Sequence, residues 1–117
     1  NMINSYKDLI VWQKAMDLAI AIYNITEKFP SSETYNLTSQ MRRSAVSIPS
    51  NIAKGRRRCG KNEFRHFLFI AYSSGAELET QIEIVRRLQF SVDLDFKIVD
   101  DLLNEVMRLL NKIINTL

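Results

Sequence analysis

Cysteine, histidine and tryptophan each occur once in these 117 residues, as Cys59, His66 and Trp12, and there are only two prolines and three glycines. One thiol excludes an intrachain disulfide and suits a reducing compartment. One histidine leaves no Ser/His/Asp or Cys/His set to build. The longest unbroken apolar runs, Leu18–Tyr23 and Phe67–Tyr72, are six residues, far short of the roughly 18 a membrane helix needs. No charged segment leads into an apolar stretch with a small-residue cleavage site, so the expected location is cytoplasmic, with no membrane partner. No stretch alternates apolar and polar residues with period two, so strands are not expected. Internal repeats and low-complexity segments are also lacking. With 46% apolar and 25% charged residues, the expectation is one domain over 1–117 with a real core.

Charge is unevenly distributed. The net value is +3, but residues 42–65 hold eight Lys/Arg against one acid, Glu63, and the rest of the chain holds eight against twelve. The segment thus carries a local +7 on a body of −4, which points to one basic surface region. Its centre, "SIPSNIAKGRRRCGKNEFRHF" (47–67), contains Lys54, Arg56, Arg57, Arg58, Lys61 and Arg65.

The few prolines and glycines punctuate four helix-period segments. The first opens at Ser5-Tyr6-Lys7-Asp8, a capping arrangement. It continues through Leu9, Trp12, Met16, Ala19, Ile20 and Tyr23 and stops at Phe29-Pro30, because a residue before proline disfavours helical angles. The second carries Leu37, Met41, Ala45, Ile48 and Ile52, a phase that passes through Pro49. One helix kinked at Pro49 is the simplest reading, with Ser50 and Asn51 available to bond the freed backbone groups. A break into two helices competes with it. Gly60 allows a reversal into the third segment, Phe64, Phe67, Leu68, Ala71, Gly75, Leu78, Ile82, Val85 and Leu88. The fourth runs Phe96, Val99, Leu102, Val106, Leu109, Ile113 and Leu117. Short connections favour an all-α, up-down-up-down antiparallel four-helix bundle. A fold-back at 59–60 would set Ala45 against Gly75 and bring Arg42 and Arg43 level with Glu77 and Glu79.

The stretches "VWQKAMDLA" (11–19), "FPSSETYNLTSQMRRSAVSIPSNIAKG" (29–55) and "EFRHFLFIAYSSGAELETQ" (63–81) resemble a bacterial four-helix-bundle family. Its members are encoded in intervening sequences of large-subunit ribosomal RNA genes and include accessory proteins of diversity-generating retroelements. Residues 37–55 are the most specific part of the likeness, and the fourth segment matches only in pattern. The resemblance implies a homopentameric barrel without catalytic residues or cofactors. It also implies a basic surface that, in the retroelement branch, meets nucleic acid and a reverse transcriptase. Lys54 stands where the family pattern usually has an acid, and Ser73 where it usually has glycine.

Weighed one by one, the chemical motifs mostly read as structure. Glu63-Phe64-Arg65-His66 has the form of a di-iron bundle motif, but such a site needs a second copy and two more core glutamates. A helix-surface Glu and His three apart is common by accident. Cys59 reads as an incidental exposed thiol, although nearby arginines would favour its thiolate. Arg42 and Arg43 have a structural reading as ion pairs with Glu77 or Glu79. Arg56, Arg57 and Arg58 complement the C-terminal end of the second helix. Lys61 and Arg65 start the third helix, where its dipole disfavours cations, so they call for an anionic partner. Phosphates fit that role, while Phe64 and Phe67 read as core residues rather than base-stacking platforms.

The functional expectation is therefore non-enzymatic. An oligomer, a pentamer by the resemblance, binds RNA or DNA backbone with low sequence selectivity through the basic turn. The alternative is a protein-interaction adaptor for an acidic, polymerase-type partner. A di-metal or haem bundle is the remaining option. Apolar residues all round the helix at 18–23 and 67–72 suggest Ile22, Phe69, Ile70 and Tyr72 as oligomer-interface positions.

Overall fold

A computed structural model describes residues 5–58 and 60–117, so Cys59 and the reading of its thiol lie outside the described residues. Four helices carry the chain: α1 (Ile10–Thr26), α2 (Leu37–Arg57), α3 (Lys61–Arg86) and α4 (Lys97–Thr116), and no strand occurs among the described residues. The radius of gyration is 15.0 Å, above the roughly 13 Å of a rounder domain this long. The helices lie side by side in a rod 52 Å long and 22 by 19 Å across.

Each helix touches two others. α1 and α3 both pack against α2 and α4, and the diagonal pairs do not meet. The contacts run antiparallel: early α2 meets the end of α1 through Arg42 and Thr26. Ser47 meets Ser74 across α2 and α3. Early α3 meets the end of α4 through Arg65 and Ile114, and the end of α3 meets early α4 through Arg86 and Asp100.

Local chemistry explains the boundaries. Ser5 Oγ accepts from the Lys7 amide at 3.1 Å, capping a single 3-10 turn (Tyr6–Asp8) rather than α1 itself. α1 ends at Thr26, three residues before Phe29, and the Thr26 hydroxyl donates back to the Ile22 carbonyl at 2.7 Å. α2 runs unbroken through a buried Pro49, so the two-helix alternative does not hold. Asn51 Nδ2 donates to the Ser47 carbonyl at 2.8 Å and to its hydroxyl at 3.0 Å. The carbonyl that Pro49 leaves without a donor is that of Ala45, so Asn51 reinforces the neighbouring turn instead. Gly60 turns the chain into α3 with φ 107°, the one positive φ among the described residues.

The core is aliphatic. Leu18, Ile22, Met41, Ile48, Ile52, Leu68, Leu78, Ile82, Val106 and Leu110 are among its fully enclosed members, each contributing about 1.5–3 kcal/mol by burial. The stripe expected for α3 is the observed one from Leu68 to Val85, while Leu88 is exposed. α1 differs. Its buried face is Val11, Ala15, Leu18, Ala19, Ile22 and Ile25, and the expected Met16, Ile20 and Tyr23 face solvent. Ile22 is therefore corrected from an interface position to a core one. α1 has two apolar stripes, and only its neighbours decide which is inside. At Gly75 the nearest obstacle to a side chain is Met107 of α4, so the glycine there makes room for α4. The close approach of α2 to α3 occurs at Gly55 instead, where a Cβ would lie 2.7 Å from Phe67 Cβ.

Candidate nucleic-acid interface

The Gly55–Phe67 contact clamps α2 to α3 just below their turn. The last turn of α2 (Lys54, Arg56, Arg57), Arg58 and the first turns of α3 (Lys61, Arg65) thus share one end of the rod. Lys54, Arg57, Arg58 and Lys61 are exposed, whereas Arg56 and Arg65 are half-buried. The ion pairs among the described residues lie elsewhere, at Lys14–Glu105, Arg86–Glu83, Arg86–Asp100 and Lys97–Asp101. Among the described residues no carboxylate forms an ion pair with these six cations.

Aromatic rings flank two of the exposed cations. The Arg57 guanidinium lies 5.5 Å from the Tyr6 ring centroid and that of Arg58 5.3 Å from Phe67, contacts worth about 0.5–1 kcal/mol at exposed sites. They leave the guanidinium edges free to donate to phosphate oxygens. Arg56 Nε is enclosed and has no hydrogen-bond partner.

Arg65 has a structural role that the sequence did not reveal. Its Nε donates to the Ile114 carbonyl at 3.1 Å, and its guanidinium lies 5.1 Å from the Phe69 ring. A cation that opposes the dipole of α3 is thereby complementary to the C-terminal end of α4. Of the two cations that oppose the dipole of α3, Arg65 has an acceptor on another helix and Lys61 has none among the described residues.

Arg42 behaves in the same way. Its Nε donates to Thr26 Oγ1 at 2.9 Å and an Nη to the Tyr23 carbonyl at 3.4 Å, with the guanidinium 4.5 Å from the Tyr23 ring. It caps α1. Arg43 reaches only Ser39 Oγ, at 3.4 Å. Neither forms the expected ion pair with Glu77 or Glu79; Arg43 and Glu77 merely line one cleft of about 190 Å³. The correction has a geometric cause: α1's open C-terminus lies nearer to Arg42 than the α3 carboxylates do.

Glu63 and His66 are both exposed on α3, and His66 sits edge-on to Phe67 at 5.4 Å. Among the described residues no three of His, Cys, Asp and Glu gather where a metal could be held. No described helix is long and apolar enough to cross a membrane. Of the expected interface positions, Phe69 is 46% exposed, and Ile70 and Tyr72 are half-buried. Sequence reasoning missed a larger apolar surface, a groove of about 340 Å³ between α1 and α2 lined by residues that include Trp12, Met16, Ile20, Tyr23, Val46 and Pro49. The signal was the second apolar stripe of α1, assigned to the core by its phase.

Comparison with known proteins agrees with this architecture. A crystal structure of a Bacteroides thetaiotaomicron protein of unknown function, from the S23 ribosomal protein family, superposes with a TM-score of 0.81 at 23% identity. The match covers 91% of this chain and 96% of that one. No curated protein matches. The family model of the 23S rRNA-intervening sequence proteins matches residues 7–112. With nearly the whole bundle inside that match, the chain belongs to the 23S rRNA-intervening sequence protein family.

Proposed function

We propose that this protein is a non-enzymatic, oligomeric binder of nucleic-acid backbone, with Lys54, Arg57, Arg58 and Lys61 as its phosphate contacts. One observation carries the reading: four exposed cations converge on one tip, and none has an ion-pair partner among the described residues. Unpaired like charges repel, so their concentration destabilises the tip unless an anion offsets it. Arg65 ties the start of α3 to the end of α4, and Arg56 is half-buried beneath the tip. The contacts are to phosphate, so binding follows charge and shape rather than base sequence. Copies gathered with their tips on one side, five if the family resemblance holds for assembly, multiply weak single-tip contacts.

Fluorescence anisotropy with labelled RNA over a salt series tests this. Four phosphate contacts per chain predict a log–log slope of roughly −3 to −4, about a hundredfold loss between 50 and 200 mM salt. Replacing Lys54, Arg57, Arg58 and Lys61 with glutamate is expected to abolish binding while helicity persists. Salt-independent affinity, or full affinity in that variant, overturns the proposal.

A further inference from the structure

We infer that the early turns of α2 carry a pocket for a nucleoside monophosphate or a ligand of that class, a phosphomonoester joined to a planar ring. The pocket lies beside the end of α1, a cavity of about 440 Å³ lined by residues that include Tyr23, Tyr35, Thr38, Ser39, Arg42 and Arg43. Arg42 and Arg57 are about 22 Å apart along the helix at 1.5 Å per residue. The pocket is therefore separate from the basic tip and does not depend on it.

The starting point is Thr38. It is only 7% exposed, yet its hydroxyl makes no hydrogen bond among the described residues. Nor is that hydroxyl sealed in the core, because the enclosed side-chain atoms without partners there are Arg56 Nε and Gln81 Oε1. It opens instead onto the cavity that Thr38 lines. A buried hydroxyl that bonds nothing is costly, and a ligand in the cavity would satisfy it. Further donors stand around it. The Ser39 hydroxyl accepts from Arg43 at 3.4 Å, which leaves its own proton free to donate. Arg42 is fixed by its bonds to Thr26 and the Tyr23 carbonyl, with its other Nη unused among the described residues. Asn36 gives α2 no side-chain cap. Glu33 takes the Leu37 amide at 3.4 Å, while the Thr38 and Ser39 amides belong to a first turn that has no acceptor within the helix.

Two guanidiniums and two hydroxyls with no acid in the lining select a ligand made of acceptors and disfavour a cation. Glu77 meets Arg43 only across the neighbouring cleft and forms no ion pair with it. A phosphomonoester suits this set: its three oxygens accept from several donors at once, and arginine can hold two of them together. The dipole of α2 favours the same charge. A phosphate group alone leaves most of the space empty, since 440 Å³ is the size of a small-molecule site, about 300–1,000 Å³. The rest of the lining is aromatic. Tyr23 has Arg42 against its ring at 4.5 Å. Tyr35, four residues ahead of Ser39, is 96% exposed. A planar base can stack on such a ring whatever the base is. An aliphatic phosphoester would leave Tyr35 without a contact.

An amide nuclear magnetic resonance titration of the full chain tests this, with adenosine monophosphate, inorganic phosphate and adenosine as separate probes. Adenosine monophosphate is expected to shift Thr38 and Ser39 saturably. Phosphate should shift the same residues about tenfold more weakly or worse, and adenosine should leave them in place. Thr38→Val keeps the shape and removes the hydroxyl, and Arg43→Glu reverses a charge. Each should weaken the nucleotide about tenfold or more, the size of one lost hydrogen bond to a charged group. Tyr35→Ala should bring the nucleotide down to the affinity of phosphate without changing phosphate itself. Replacing Lys54, Arg57, Arg58 and Lys61 with glutamate should leave the pocket's affinity intact, so the tip and the pocket fail separately. Overturning results are no saturable shift, shifts centred on the tip, phosphate as tight as the nucleotide, or unaltered nucleotide affinity in Arg43→Glu or Tyr35→Ala. Amide dispersion reports folding, and the exposed positions 35 and 43 keep the test available if Thr38→Val unfolds.

Discussion

The two ends of the rod treat their cations in opposite ways. Where α3 meets α4, Arg86 bonds Glu83 at 2.9 Å and also Asp100, while Lys97 Nζ bonds Asp101 at 3.0 Å. At the α2–α3 tip, Lys54, Arg57, Arg58 and Lys61 are exposed and form no ion pair among the described residues, and Arg57 and Arg58 lie against aromatic rings. Acids are plentiful in the chain, so the imbalance comes from their placement. An unpaired end stores repulsion, which under the proposed function a polyanion would relieve.

Five substitutions sharpen this contrast. The largest effect is expected for Gly55→Ala, because the new Cβ would meet Phe67 Cβ at 2.7 Å, an atom next to the backbone that cannot swing aside. The gain in helix propensity is about 1 kcal/mol. Overpacking costs about 1–3 kcal/mol, so thermal unfolding should show net destabilisation, and RNA affinity should fall as the tip splays. An unchanged melting temperature would mean that α2 and α3 are not clamped there.

Next comes a pair inside the basic cluster. Arg65→Ala removes the charged donor from the Ile114 carbonyl, at an expected cost of about 1–2 kcal/mol for a half-buried bond. It should change RNA affinity less than Arg57→Ala does. Arg57→Ala should do the reverse, weakening RNA binding and its salt slope with little change in melting temperature. Matching effects from the two variants would erase the distinction between supporting and contacting arginines.

The smallest effects belong to the paired end. Arg86 is raised above its ordinary pKa: burial works against the charge, but hydrogen bonds to Asp100 and Glu83 outweigh it. Arg86→Ala should cost about 0.3–1 kcal/mol, as for other largely exposed pairs, and leave RNA binding intact. Lys97 is also raised, by its hydrogen bond to Asp101. Its contribution is present below the ordinary lysine value of 10.5 and fades as pH rises through the higher folded value. A chemical-denaturation series in alkaline buffers should show that decline in wild type and less of it in Asp101→Asn.

Arg42 and Arg65 mark where sequence reasoning stopped. Both were judged by charges on their own or the facing helix, yet each reaches across to the C-terminal carbonyls of another helix. A helix end is an acceptor that no acidic residue in the sequence advertises. Ile20 and Ile22 show the second limit. Two residues apart on a helix with apolar groups on both sides, they ended on opposite faces, the first 58% exposed and the second enclosed. The basic cluster was legible throughout, because its members are close in sequence and adjoin a glycine turn.

Periodicity and sparse punctuation alone determined four helices, their approximate limits and the concentration of positive charge at one turn. Those properties depend on residues within a few turns of each other, where spacing and chemistry act without a partner. The buried side of α1 and the helix ends that recruit Arg42 and Arg65 were decided only in the tertiary structure. Each depends on which surfaces meet, and that choice is made by the packing of the whole bundle.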